Sequence, residues 1–112
     1  MYNKNYDYHK RSKNIVSQFT INGQTFSIDL SHHAEKRLIE RNIDLWMAIG
    51  SILSLGQEHI TEYQNSNKDI FIMDREHNFS IVCTIEDNII VIITVIDKID
   101  CYIKTGTIAV NL

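Results

Sequence analysis

Residues 32–43 read His-His-Ala-Glu-Lys-Arg-Leu-Ile-Glu-Arg-Asn-Ile. Charge is dense here and recurs with a helical period, as it does nowhere else in the chain. His33, Arg37, Glu40 and Arg41 stand at i, i+4, i+7 and i+8. At about 100° per residue, their side chains fall within about a quadrant of a helix surface. Ala34 and Leu38 supply the inward stripe. Ser31 or His32 is placed to cap the start, Glu35 lies close to capping-box spacing, and Asn42 ends the run. The pattern predicts a helix from about His33 to Arg41. A histidine, two guanidiniums and a carboxylate on one stripe have the makings of a site that holds a phosphate and moves a proton. The same four residues also suit an ion-paired seam between helix and sheet.

Working upstream, Ile15 to Ile21 and Gln24 to Leu30 flank Asn22-Gly23, a dipeptide that favours the two-residue type I′ hairpin turn. Pairing across it sets Phe19 opposite Phe26, with Ile15, Ile21 and Ile28 on the same face, to be covered by the following helix. Residues 1–14 are polar and basic with Tyr2, Tyr6 and Tyr8 interleaved, and no period is sustained. They read as a flexible arm ahead of a single domain over 15–112.

Downstream, Asp44 is placed to cap a second helix from Leu45 to Leu55. Its core stripe is Leu45, Ala48, Ile49, Ile52 and Leu55, with Gly56 as the stop. Trp46 beside that stripe reads as an anchor between helix and sheet. Strands are expected at Ile70 to Met73, at Phe79 to Ile85, where apolar residues alternate, and at Ile89 to Ile96, apolar on both faces like a central strand. Asp74 to Asn78 and Glu86 to Asn88 make the turns, and Thr107 to Val110 is a candidate edge strand. A hairpin, two helices and then a meander describe an α+β fold, with the helices on one face of a mainly antiparallel sheet.

A chain of 112 residues suffices for one core. No apolar run approaches the length of a membrane span, and no apolar segment follows the N-terminal basic residues, so a cytoplasmic protein is expected. Cys83 and Cys101 lack the paired spacing of a zinc site and read as free thiols. Neither a metal nor a cofactor is expected. The net charge of −3 is uneven. Residues 1–41 carry seven Lys/Arg against four acids, and the remainder four against ten. Any contact with a polyanion is therefore expected to be local to the N-terminal third.

The run His33-Ala34-x-x-Arg37-x-x-Glu40-Arg41-x-Ile43, a short helix up to Gly56, and strands closing on Ile93-Thr94-Val95 together resemble a family of small bacterial and phage-borne domains. These domains are related to the RelE and BrnT toxins, within the Barnase–EndoU–Colicin–RelE ribonuclease fold. The resemblance covers roughly residues 26–96, and its specific part is the helix motif. It implies a RelE-like fold and metal-independent cleavage of RNA, in which a 2′-hydroxyl attacks the adjacent phosphate. His33 would be the base or acid, Arg37 and Arg41 the phosphate clamp, and Glu40 the tuner of His33 or a second proton carrier. Thr94 would complete the site, with Lys36, Lys98 and Tyr102 touching substrate. In departure from the family pattern the chain is acidic overall, and His59 and His77 fall in expected turns or loops.

Three function classes follow. The first is a toxin-type endoribonuclease with RNA as substrate and an antitoxin as protein partner. The second is a non-catalytic phage or mobile-element module that inhibits a host defence or nucleic-acid-binding complex. Its acidic body (Asp69, Asp74, Glu76, Glu86, Asp87, Asp97, Asp100) would face a basic partner. The third is an assembly role, the Tyr-rich arm reaching a second copy in a homodimer.

Overall fold

The computed structural model describes residues 14–99, 101 and 103–112. The expected Tyr-rich arm up to residue 13 and Tyr102 lie outside these. The chain runs β1 (Ile15–Ile21), β2 (Gln24–Leu30), α1 (His32–Glu40), α2 (Leu45–Leu53), α3 (Gly56–Tyr63), β3 (Asp69–Asp74), β4 (Phe79–Glu86), β5 (Ile89–Ile96) and β6 (Ile108–Asn111). The described residues form an α+β arrangement whose six strands make one sheet in the order β1-β2-β5-β4-β3-β6.

The hairpin forms as the Asn-Gly pair predicts. Asn22 and Gly23 adopt φ of 50° and 80°, the left-handed conformations a type I′ turn needs at both positions. Phe19 pairs with Phe26, and their rings stack at 5.6 Å. Ile15 departs from expectation. A register shift between Ile15 and Ser17 takes it off the core face, and it is exposed.

Helix α1 is capped by Ser31, whose Oγ accepts from Ala34 N at 3.0 Å and donates to Ile93 O on β5. Ala34, not Glu35, therefore occupies the third helical position. At the other end Asn42 takes φ 53°. Ile43 N then bonds Leu38 O, and Asn42 N bonds Ile39 O. This double closure is a Schellman stop with asparagine in the left-handed position. Ala34 and Leu38 are buried toward the sheet.

Two expectations about the next segment are corrected. Gly56 does interrupt the helix, at φ +81°, but the chain re-enters helix at once as α3, held to the core by buried Ile60. His59 thus stands on a helix, not in a loop. Trp46 does not anchor α2 to the sheet. The helix buries Ala48, Ile49, Ser51 and Ile52, a face that leaves Trp46 70% exposed.

The sheet is also not a simple antiparallel meander. Strands β3, β4 and β5 are antiparallel neighbours, yet β2 pairs parallel to β5 and β6 parallel to β3. Residues of all three helices and one side of the sheet share a single core that includes Phe26, Ile28, Ile72, Ile81, Ile92 and Val95. The opposite side buries Phe71, Met73, Val91 and Ile93. There the Ser80 hydroxyl donates to Lys98 O, where the chain leaves β5 for the far edge of the sheet. Cys83 is buried in the core as a free thiol, and burial pushes its pKa up to about 12. No described helix is long and apolar enough to cross a membrane.

Candidate functional site

The charged stripe runs the length of α1 from His33, which is exposed, to Glu40 in its last position and Arg41 at its C-cap. Neither ring nitrogen of His33 is hydrogen-bonded among the described residues. Partial burial lowers its pKa from 6.5, and the neighbouring Arg37 and Arg41 guanidiniums lower it further. At neutral pH the imidazole is therefore largely uncharged and has a lone pair free to accept a proton. Arg37, Glu40 and Lys36 form a small ion-pair group. Arg37 Nη1 donates to Glu40 Oε1, and Lys36 Nζ lies 3.9 Å from Glu40 Oε2. Arg41 turns inward instead, its Nη1 donating to Val95 O on β5. It fastens α1 to the sheet.

Thr94 does not join this group. In an unbroken strand it would share a face with Ile90 and Ile92, beneath the helices. Register shifts at this point, so that Cys83 pairs with Ile92 but Val82 pairs with Thr94. The extra residue, Ile93, reverses the alternation beyond it. Val95 then faces the helices and Thr94 faces the other side with Val82. Lys98 lies past the end of β5, exposed, with its carbonyl accepting from Ser80 Oγ and Cys101 Sγ. Of the residues singled out for the site, the structure assembles His33, Lys36, Arg37, Glu40 and Arg41, and separates Thr94.

A second cluster, not foreseen from the spacing, forms where α2 meets the end of β3. Asp74, 7% exposed, accepts three bonds. Ser51 Oγ donates to its Oδ2 at 2.7 Å, His77 Nδ1 to the same oxygen at 2.9 Å, and His77 N to Oδ1 at 3.1 Å. Burial pushes the Asp74 pKa up, but the bonds from Ser51 and His77 outweigh it and leave it below 3.8. The same bond to Asp74, against some desolvation, raises His77 above 6.5. Because Nδ1–H is committed to the carboxylate, Nε2 is the nitrogen His77 offers outward. These groups line a cleft of about 380 Å³ together with Trp46, Met47, Gly50, Ser54, Glu76 and Leu112. The available signal was an aspartate ending an apolar strand with a histidine three residues on. That spacing lets the side chain close the turn onto the backbone N–H.

A comparison of the chain with protein-family models, curated proteins and solved structures matched none of them.

Proposed function

We propose that the chain is a metal-independent, toxin-type endoribonuclease of RelE-like fold, working in the cytoplasm with the exposed face of α1 toward RNA. The observation that supports this reading is the open, uncharged imidazole of His33, set one helical turn from Arg37. In the reaction, His33 takes the proton from a ribose 2′-hydroxyl as its oxygen bonds to the adjacent phosphorus. The P–O5′ bond breaks, the departing oxygen takes a proton from water, and a 2′,3′-cyclic phosphate is left. Arg37 has the fork geometry to hold the non-bridging oxygens, on exchanging its pairing with Glu40 for phosphate. Glu40 then serves as the group that keeps Arg37 placed in the absence of RNA. Arg41 contributes mainly field, since its Nη1 is bonded to Val95 O and the side chain is drawn toward β5. The test is cleavage of labelled single-stranded RNA by the protein beside a His33→Ala variant. Loss of cutting in the variant supports the reading; no cutting by either, or equal cutting by both, ends it.

A second reading is favoured by the displacement of Thr94 and the commitment of Arg41, which leave the α1 face with fewer free groups than a ribonuclease centre uses. In that reading the fold serves as a non-catalytic module, and its acidic remainder meets a basic protein partner.

A further inference from the structure

Trp46 is the chain's single tryptophan, and 70% of it is exposed although its backbone is firmly placed. Its N–H is held by the Asp44 carboxylate at 2.9 Å at the first turn of α2. The indole stands at the cleft that also holds Asp74, Glu76 and His77. Among the described residues, the lining contains two side-chain carboxylates and neither lysine nor arginine. The charged form of His77 is favoured first by its bond to Asp74 and also by the nearby Glu76 carboxylate. Arg75, the cation in the same turn, is tied to Asn111 Oδ1 at 2.9 Å and does not line the cleft. Glu76 makes no hydrogen bond or salt bridge among the described residues. The pocket thus combines an open aromatic face, a carboxylate with no direct hydrogen-bond or ion-pair partner among the described residues, and an apolar floor from Met47, Gly50 and Leu112.

We infer that this cleft receives an arginine side chain of a basic protein partner, its guanidinium lying on the Trp46 indole and paired with the Glu76 carboxylate. A cation is attracted to an indole face, and the planar guanidinium, unlike an ammonium, both stacks on the ring and pairs with a carboxylate through its fork. The methylene stem suits the apolar floor. A phosphate group, by contrast, would meet Glu76 and Asp74 with like charge. The surplus of acids over bases beyond residue 41 adds long-range attraction for a basic partner. The proposal narrows the second reading above to one cleft and is independent of RNA cleavage at α1.

The test uses the whole chain and two probes of equal charge, blocked hexa-arginine and hexa-lysine peptides. Trp46 emission reports occupancy directly, and calorimetry covers the variants that lack it. The expected result is saturable quenching, with the arginine peptide binding more tightly than the lysine peptide. Trp46→Ala and Glu76→Gln should each weaken the arginine peptide by roughly two- to five-fold, the range of an exposed cation–π or ion-pair contact. Glu86→Gln/Asp87→Asn, at the opposite end of β4, should change it by less than Glu76→Gln does. Equal weakening by the two charge removals would overturn the site while sustaining general attraction to an acidic surface. Absence of any Trp46 response, or a larger response to a single-stranded RNA oligomer than to the peptide, would overturn it outright.

Discussion

Removing the Ser51 hydroxyl tests how α2 is latched to the sheet. Ser51 is 2% exposed and Asp74 7%, so their 2.7 Å bond is shielded from competing water. A hydrogen bond to a charged acceptor contributes about 1.5–3 kcal/mol. Two effects reduce the loss in Ser51→Ala. Asp74 keeps both bonds from His77, so the carboxylate is not stranded, and alanine gains up to about 0.5 kcal/mol of helix propensity over serine. The net expectation is a loss of about 1–2 kcal/mol. For a domain of this size that is a fall in Tm of about 4–8 °C, with a lower urea midpoint and an unchanged m-value. Ser54→Ala is the matched control. It caps the C-terminus of the same helix, but its hydroxyl is exposed and donates only to Gly50 O, so less than about 0.5 kcal/mol is expected. If Ser51→Ala and Ser54→Ala melted together, the Ser51–Asp74 bond would not be holding α2 to β3 and the geometry of the cleft would be in error.

The Asp74–His77 pair should also leave a mark on stability against pH. His77 is raised above 6.5, so its contribution is complete below that pH and is lost as pH rises through the raised value. Asp74 is lowered from 3.8, so its contribution is complete above that pH and is lost as pH falls through the lowered value. Urea titrations should therefore show the pair contributing most between about pH 4 and 6.5, and His77→Gln should flatten the alkaline limb. In the core, Phe26 is fully buried and stacked on Phe19, so Phe26→Ala should cost about 3–5 kcal/mol in chemical denaturation.

Much of the local structure was legible because local chemistry decides it. Asn22-Gly23 sets the hairpin register by its turn type. Ser31 and Asn42 bracket α1 because each satisfies backbone groups the helix leaves open. What escaped was decided at a distance. Nothing in the β2 sequence says that its outer edge pairs parallel to β5, some sixty residues on. Helix α3 was hidden because Gly56 carries a stop signal and the next seven residues place only Ile60 in the core. Thr94 was assigned to the site by the resemblance alone, and the extra residue Ile93 in β5, which the sequence does not mark, turns it to the other side of the sheet. Trp46 looked like an anchor from composition, but the face of α2 that packs is set by Ala48, Ile49 and Ile52, and the indole lies off it. At the candidate site, the α1 stripe was visible from spacing within one helix. The Ser51–Asp74–His77 cluster joins a helix to a turn and had no such period to betray it.

The ribonuclease reading is tested most directly by the ends it leaves on RNA. A single-stranded oligoribonucleotide incubated with the protein in excess chelator should be cut to fragments ending in 2′,3′-cyclic phosphate, and His33→Ala should leave it intact. Cutting that ceases with chelator, that leaves 3′-hydroxyl ends, or that persists in His33→Ala would contradict the account, as would RNA left whole by the native protein.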